Sequence, residues 1–269
     1  MSFSLTNLFD YLQITRSGFY KRKKCIKAKN EELGNLIYLL EDIRKDHPRM
    51  GLEVIYNKIN PNQMGRDKFV KTFLRLGYGV RRTKCFKKTT NSSGVKRFDN
   101  YLTSLELNRL NQCFVSDITY FELNNKFCYL TFIMDLFNRE VVGYSVSKSL
   151  RTIDTTIPAI KMLVRKRGIK ALDGAIFHSD GGGQYYADEF LENTKTKLNL
   201  TPSMGKTCLD NPHAERLNGV LKNNYIVPYQ PKNFKDLIKK TKKAVKMYNY
   251  EKPHEALGGM TPIAFKLAS

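Results

Sequence analysis

The stretch Cys113-Phe-Val-Ser-Asp-Ile-Thr-Tyr-Phe-Glu-Leu123 decides the fold of this chain. It is followed by Lys126-Phe-Cys-Tyr-Leu-Thr-Phe-Ile-Met-Asp-Leu-Phe137 and Glu140-Val-Val-Gly-Tyr-Ser-Val146, and all three are rich in the β-branched and aromatic residues that favour strands. The breaks between them, Asn124-Asn125 and Asn138-Arg139, are good hairpin turns. The sequence therefore predicts three consecutive antiparallel strands.

The sequence after these strands alternates between helical and strand patterns. Helices are predicted at 153–167, 187–198 and 211–225, with a buried strand at 174–179. A basic helix is predicted at 232–250. Because strands and helices alternate after a run of hairpins, we expect an α/β fold in which helices flank a mixed sheet.

The sequence before residue 113 has a different character. Five short helices are predicted there by apolar residues at helical spacing, at 4–12, 16–24, 31–46, 52–59 and 66–77. The first two could form a helix-turn-helix, with a turn from Gln13 to Thr15 and Thr15 as the cap of the second helix. Short helices joined by turns are common, so the pattern alone leaves that motif open.

A polar stretch without periodicity, residues 87–99, is typical of a linker. The predicted organisation is a helical region at 1–85, a basic linker at 86–106, an α/β core at 107–230 and a basic helix and tail at 231–269.

The charge of the chain predicts an anionic partner. Its 269 residues include 46 Lys and Arg against 25 Asp and Glu, a net charge of +21. Residues 1–100 hold 22 basic and 9 acidic side chains, with basic runs that include Arg22, Lys23, Arg81 and Arg82. Each such run can be a solvated face, but clustering on this scale favours a nucleic-acid backbone. We expect these four side chains to contact DNA.

Other features narrow the class of protein. Apolar residues make up 41% of the chain, enough for a sizeable core. The longest apolar run, 127–134, is too short to cross a membrane, and the N-terminus lacks the pattern of a secretion signal. The five cysteines are widely spaced and include no C-x-x-C pair, so we expect reduced thiols in a cytoplasmic protein.

Three carboxylates lie at the ends of predicted elements, where a site can form. Asp117 lies in the first strand, Asp180 follows the fourth, and Glu215 is near the start of a helix. Acids at such positions are usually caps or solvated groups. Together, however, they suit a pair of Mg²⁺ ions, which prefer carboxylate oxygens and promote displacement at phosphorus.

The residues around Asp180 and Glu215 add detail. The glycines at 181–183 allow a sharp turn but match no phosphate-binding loop, and His178 is more simply a structural histidine than a metal ligand. At 100° per residue, Asn218 and Lys222 share a helix face with Glu215. Lys222 could hold a substrate phosphate or simply face solvent.

Several ordered motifs resemble those of integrase-type transposases of bacterial insertion sequences, specifically the second-frame proteins of the insertion-sequence family numbered three. Phe114-Val-Ser-Asp-Ile-Thr-Tyr is similar to the family's Trp-x-x-Asp-Ile-Thr-Tyr. His178-Ser-Asp-Gly-Gly-Gly-Gln-Tyr and Asp210-Asn-Pro-His-Ala-Glu resemble its second and third motifs. Further matches are Thr15-Arg-Ser-Gly-Phe-Tyr, His47-Pro-Arg-Met-Gly, Met134-Asp-Leu-Phe-Asn-Arg-Glu-Val-Val-Gly-Tyr, Tyr248-Asn-Tyr-Glu-Lys-Pro-His and Thr261-Pro.

The resemblance implies a ribonuclease-H-like catalytic domain of the retroviral-integrase type, with Asp117, Asp180 and Glu215 as the catalytic and metal-binding triad. It implies that Lys222 contacts element-end DNA, and Asn218 and Asn211 are further candidates for DNA contacts. Two Mg²⁺ or Mn²⁺ ions, a homo-oligomer on DNA and an upstream-frame helix-turn-helix partner are also implied. The chain departs from the family pattern at 114, where Phe replaces Trp, and at 181 and 183, where Gly replaces Arg and Ser.

The predicted function is a transposase that cuts and joins the ends of an insertion sequence. Two alternatives remain open at this point. One is a nuclease of the same fold that acts on RNA–DNA hybrids, a task for which the basic N-terminal and C-terminal regions would be superfluous. The other is an impaired element protein that binds DNA as a regulator.

Overall fold

The computed structural model describes residues 5–80, 98–205 and 210–269. The chain divides into two compact units. The first comprises residues 1–46 and 50–79, and the second comprises residues 47–49 and 80–269. The division falls a few residues before the boundary that the polar stretch suggested.

The first unit is helical. Its helices are α1 (Leu5–Tyr11), α2 (Arg16–Asp46), α3 (Leu52–Ile59) and α4 (Arg66–Arg75). Its core consists of the buried side chains of Leu36, Leu40, Met50, Leu52, Ile55, Phe69 and Phe73. The apolar spacing in α2, α3 and α4 therefore produces one small core of its own.

The start of the first unit agrees with the predicted helix–turn–helix pairing, with one difference. Gln13 adopts a left-handed backbone (φ 52°) in the turn, and the Thr15 hydroxyl accepts a hydrogen bond from the Gly18 amide at 3.1 Å. The difference is that α2 runs unbroken to Asp46, where two helices were predicted. Residues 25–30 lack apolar periodicity but contain neither Gly nor Pro, so nothing in them ends the helix.

The second unit is built on a five-stranded sheet. Its strands are β1 (Cys113–Leu123), β2 (Lys126–Asp135), β3 (Val141–Ser147), β4 (Ile176–Ser179) and β5 (Thr201–Met204), in the order β3-β2-β1-β4-β5. The pairs β1–β2 and β2–β3 are antiparallel, whereas β1–β4 and β4–β5 are parallel. This is the mixed sheet that the sequence predicts, and the ribonuclease-H-like α/β class is confirmed.

The Asn124-Asn125 hairpin turn is present as predicted, whereas the second hairpin has a longer loop, residues 136–140, that contains Asn138 and Arg139. Asn124 and Asn125 both have positive φ (52° and 60°), which is the conformation that a two-residue hairpin requires. In the second hairpin Arg139 is left-handed (φ 61°), while Asn138 is buried. Asparagine tolerates this backbone region better than most residues, so the sequence signal has a direct physical cause.

Helices cover both faces of the sheet. On one face α5 (Thr156–Arg167) and α6 (Asp188–Leu191) pack against residues such as Phe114 and Ile133. The other face packs against α7 (Pro212–Gly219) and α9 (Phe234–Tyr250), through residues such as Val115 and Met134. Alternate residues of each strand thus enter different cores, which explains the nearly continuous apolar character of β2.

The helices after residue 187 are less regular than predicted. The predicted helix 187–198 is α6 followed by a π-helical segment, Glu192–Thr196. The predicted helix 211–225 is α7 followed by a longer π-helical segment, Val220–Ile226, and by α8 (Val227–Tyr229). A sequence pattern read at 3.6 residues per turn does not reveal these wider turns.

The C-terminal region is part of the second unit, contrary to the predicted boundary at residue 231. The α9 side chains Leu237, Ala244 and Met247 lie in the same core as β1 and β2. A further helix, α10 (Pro262–Ala268), was not predicted separately; the Thr261 hydroxyl caps it by accepting from the Ala264 amide at 3.1 Å. The basic helix is therefore an integral layer of the second unit.

The predicted linker is described only from residue 98 onward. There the Asp99 carbonyl accepts from the Met204 amide at 3.1 Å, so the end of the linker continues along β5. Cys25, Cys113 and Cys128 are free thiols, as predicted, whereas Cys85 and Cys208 lie outside the described residues. No helix in the described parts of the chain is both long and apolar enough to cross a membrane.

Candidate active site

Asp117 and Asp180 lie next to each other because of the strand register. In the parallel pair β1–β4, Ser116 is the partner of Ser179. The next residue on each strand is an aspartate, Asp117 on β1 and Asp180 directly after β4. Because β4 ends here while β1 continues to Leu123, the two carboxylates lie where the sheet edge opens.

The Asp117 carboxylate is held by two hydrogen bonds. Oδ1 accepts from the Ile118 amide at 2.8 Å, and Oδ2 accepts from the Asn218 side-chain nitrogen at 2.8 Å. Burial and then the negative charge of Asp180 raise the pKa of Asp117 to about 7, with a smaller contribution from Glu215. The three acids are therefore close enough to interact electrostatically.

Asp180 is fixed by the glycine-rich turn that follows it. Oδ1 accepts from the Gly182 amide at 3.1 Å, and the Asp180 carbonyl accepts from the Tyr186 hydroxyl at 2.8 Å. Burial raises the pKa of the Asp180 carboxyl. Two neighbouring carboxylates with raised pKa values indicate a position where a cation would favour the ionised forms.

Glu215 completes the group from α7. Pro212 begins this helix, and Glu215 lies in its first turn with an exposed side chain. Its amide donates to the Asn211 carbonyl at 3.2 Å, which fixes the helix start. Among the described residues, no three acidic, histidine or cysteine side chains are arranged as a preformed metal site.

The donor chemistry of this group fits a divalent cation. Asp117 and Asp180 supply half-buried carboxylates, and Glu215 supplies an exposed one. The Asn218 side-chain oxygen is buried, with no hydrogen-bond partner in the described part of the chain. Hard oxygen donors of this kind are the ligands that Mg²⁺ prefers.

The residues predicted to contact DNA near Glu215 are placed differently from the expectation. Asn211 and Asn218 are buried, and the Asn211 side-chain nitrogen donates to the Ser116 carbonyl at 3.0 Å. Lys222 is half-buried, and its amine donates to the Tyr120 carbonyl. The two amides thus secure β1 from inside the protein and do not present a surface to DNA.

The partners of Asn211 and Lys222 explain how the open edge of β1 is completed. Ser116 and Tyr120 are four residues apart on one strand, so their carbonyls point to the same edge. Beyond Ser116 that edge has lost its partner β4. The side chains of Asn211 and Lys222 therefore donate to the Ser116 and Tyr120 carbonyls, where a neighbouring strand would otherwise supply the donors.

The remaining predicted contacts lie elsewhere. Arg22 and Lys23 are exposed on α2 in the first unit. Arg81 and Arg82 fall outside the described residues. His178 is fully buried, and its Nδ1 lies 2.9 Å from the Ser203 hydroxyl, which agrees with the structural role that the sequence favoured.

Sequence reasoning missed one neighbour of the aspartates. The Tyr185 hydroxyl is buried 2.8 Å from the Ser116 hydroxyl. Burial, and then the charges of Asp117 and Asp180, raise its pKa well above the ordinary value, so Tyr185 is a neutral hydrogen-bonding group. Its position five residues after Asp180, within a quoted motif, was the available signal.

Comparisons with known proteins identify the kind of domain that the second unit contains. Two family models described as integrase core domains match residues 108–207 and 196–262. An uncharacterised 31 kDa protein of insertion element IS600 from Shigella sonnei is 27% identical over 94% of this chain and 95% of its own length. A transposase for insertion sequence element IS629, also from Shigella sonnei, is 31% identical over 68% of this chain and 61% of its own length.

Among solved structures, the catalytic core domain of HTLV-2 integrase in complex with magnesium is 21% identical to this chain. The alignment has a TM-score of 0.47 and covers 58% of this chain and 95% of that domain. The matching family models and the insertion-sequence relatives show that the chain carries an integrase core domain and is a DNA transposase of the insertion-sequence kind.

Proposed function

We propose that this transposase cuts and joins insertion-sequence ends by metal-dependent phosphodiester hydrolysis and strand transfer, with Asp117, Asp180 and Glu215 as its catalytic residues. The supporting observation is the adjacency of Asp117 and Asp180 in the β1–β4 register, with Glu215 electrostatically coupled to Asp117. Carboxylates are seldom gathered at a half-buried edge of a chain with a net charge of +21 unless a cation binds them.

The three carboxylates would hold Mg²⁺ or Mn²⁺, in two positions when DNA is bound. The ions would supply Lewis-acid stabilisation of the attacking and leaving oxygens during displacement at phosphorus. Asn218 keeps the Asp117 carboxylate in a fixed orientation through its 2.8 Å hydrogen bond. The turn at Gly182 does the same for Asp180, so the chain's own residues act mainly as ligands and positioning groups.

The basic character of the chain supports binding of both element ends and target DNA. The exposed Arg22 and Lys23 on α2 belong to a first unit that folds around its own core. We assign that unit to recognition of the terminal inverted repeats. Lys222 lies on the helical segment that carries Glu215, and its amine lies against the open edge of β1. We assign Lys222 to the cut end of the element.

The finer family assignment also belongs to this proposal. The order of the motifs supports a second-frame protein of the insertion-sequence family numbered three, acting as an oligomer on DNA with an upstream-frame helix-turn-helix partner. The two alternative functions differ in what they predict. A nuclease for RNA–DNA hybrids would cleave without joining, and a regulator would bind without cleaving.

The test is a strand-transfer assay on duplexes that carry the ends of the element encoding this chain. Wild-type protein with Mg²⁺ should release a 3′-hydroxyl and join it to a second duplex. Asp180→Asn keeps the shape but removes the charge that the metal requires, so both steps should fall by at least about 10³-fold. Cleavage near the wild-type rate in this variant would overturn the triad assignment, while Asp188→Asn, on α6, should have no effect.

A further inference from the structure

A second group of charged side chains consists of cations instead of acids and is formed by residues of the β2–β3 turn, α7 and the segment after α9. Arg139, in the β2–β3 turn, donates from Nη1 to Nδ1 of His213 on α7 at 2.8 Å. Arg216 lies three residues after His213, on the same side of that helix. Lys252, just after α9, completes the group, with its amine 6.0 Å from the centroid of the Tyr248 ring.

The side chains of this group interact electrostatically with one another. Burial, and then the charge of Arg216, lower the pKa of Lys252. Burial likewise lowers the pKa of Arg139, and the Arg216 charge contributes in the same direction. Three cations from three different segments are therefore held close together.

No carboxylate balances these cations in the described parts of the chain. Arg139, Arg216 and Lys252 form no ion pair there, although ten other ion pairs are present in the same regions. Arg139 and Lys252 are also half-buried, which increases the free-energy cost of leaving their charges without a counter-ion. An arrangement of this kind is stabilised when an anion binds.

The position of Arg139 is fixed by the fold. Its backbone is left-handed, and the preceding residue, Asn138, is buried. The Asn138 side-chain nitrogen donates to the Pro262 carbonyl at 3.3 Å and to Glu140 Oε2 at 3.2 Å. Because Arg139 Nη1 donates to His213 Nδ1, that ring nitrogen carries no proton, and Nε2 remains a donor. The cluster thus offers preorganised donors of the type that phosphate oxygens accept.

We propose that Arg139, Arg216 and Lys252, with His213, form a binding site for a phosphate of the DNA backbone. The inference deepens the proposed function, because it names a contact for the DNA that the three carboxylates would cut and join. At about 100° per residue, His213 and Arg216 lie about 160° and about 100° around α7 from Glu215, so the site would hold a part of the DNA away from the bond that is cut. The site would bind DNA without sequence preference, because cations and a ring N–H contact phosphates and not base edges.

The first measurement is the salt dependence of DNA binding by the full-length chain. A fluorescein-labelled duplex from the end of the element is titrated with Arg216→Gln and Lys252→Gln at several salt concentrations. The matched controls are Arg165→Gln and Lys161→Gln, which remove exposed charges on α5, on the opposite face of the sheet. Thermal melting of every variant checks that it is folded.

We expect each cluster variant to bind about tenfold more weakly than its control. The slope of log affinity against log salt should become shallower by about 0.9, the value for one lost phosphate contact. The loss should be equal for an unrelated duplex sequence bound in the same mode. Equal slopes for cluster variants and controls would overturn the proposal, as would a change in oligomeric state with unchanged DNA binding.

A second measurement locates the site directly. Arginine modification by phenylglyoxal, read by mass spectrometry, should be suppressed by saturating DNA at Arg139 and Arg216 but not at Arg165. Unchanged modification of the two cluster arginines would contradict the assignment. Cleavage by wild type and its loss in Asp180→Asn test the proposed function separately, so a failed cluster and a failed transposase reaction are distinguishable.

Discussion

The Asn218 side chain on α7 donates a 2.8 Å hydrogen bond to Oδ2 of Asp117 on β1, which ties the helix that carries Glu215 to the strand that carries the first aspartate. Asn218 is buried, so it does not contact DNA in this conformation. Its position therefore makes it a positioning residue for Asp117.

Asn218→Ala should weaken metal use more than stability. Without the hydrogen bond the Asp117 carboxylate is free to rotate, and the loss of such an outer partner typically raises the metal concentration needed by about 10- to 100-fold. The measurement is DNA cleavage across a Mg²⁺ titration, in which high Mg²⁺ should restore much of the rate. Asn193→Ala, which removes an exposed amide that donates to the Glu189 carbonyl, is the control. A lower maximal rate at an unchanged Mg²⁺ requirement would contradict the positioning role.

Asp117 and Asp180 could be singled out from the sequence because strand patterning is local, and one acid lies in a predicted strand while the other directly follows one. Their adjacency comes from the β1–β4 register, which the sequence analysis did not predict. The roles of Asn211 and Asn218 could not be predicted in this way. Their amides bond to Ser116 and Asp117, about a hundred residues away, and such pairing depends on tertiary packing.

Lys222 shows a second limit. The prediction that it shares a face with Glu215 assumed 100° per residue, whereas residues 220–226 are π-helical. Lys222 nevertheless reaches the Tyr120 carbonyl on β1, the same strand whose Asp117 accepts from Asn218. The prediction of two helices where α2 is continuous has a different cause. Residues 25–30 lack apolar periodicity because they are exposed to solvent, and the helix does not end there.

Gly143→Ala should destabilise the catalytic unit. Gly143 on β3 faces α5, and a β-carbon there would overlap the Ala159 carbonyl oxygen and lie 3.2 Å from Ile133 Cδ1. Since a backbone carbonyl cannot move aside as a flexible side chain can, we expect a loss of about 1–3 kcal/mol in the free energy of unfolding. Chemical denaturation followed by circular dichroism measures this change.

The control for that variant is Gly219→Ala. Gly219 ends α7 with open space around its α-carbon, so alanine should leave stability unchanged or raise it by about 0.5–1 kcal/mol. If both glycine variants proved equally stable, the close approach of β3 to α5 would not be a constraint on the fold.

Glu140→Gln should reveal a pH-dependent contribution to stability. Glu140 is fully buried and pairs with Arg167 at 2.5 Å and Lys166 at 2.7 Å. Burial would raise the pKa of Glu140, but the Lys166 hydrogen bond and the Arg167 charge outweigh it and hold the pKa below the ordinary value. At neutral pH the variant should lose about 3 kcal/mol of stability.

The sign of the pH effect follows from the lowered pKa. Glu140 contributes its full stabilisation above its unfolded pKa of about 4.3, and that contribution disappears as the pH falls through its lower folded pKa. The gap between wild type and Glu140→Gln should therefore be constant above about pH 5.5 and narrow on acidification. Glu192→Gln, which loses an exposed pair with Lys197, should show a small gap throughout. A gap that widened in acid would contradict this account.

Lys222→Ala should weaken complexes with cut element ends and lower strand transfer more than the first cut. Burial lowers the pKa of the Lys222 amine, which lies against the Tyr120 carbonyl at the open edge of β1, close to where the DNA strand must pass Asp117. Strand transfer is the more sensitive step, because a 3′-hydroxyl must be aimed at a second phosphate and small displacements are costly. Lys222→Arg keeps the charge with a different geometry and should recover part of the loss.

The matched control is Lys246→Ala, which removes an exposed lysine on α9 and is measured under the same salt condition. Equal end binding and equal strand transfer in all four proteins would leave Lys222 only its structural bond to β1.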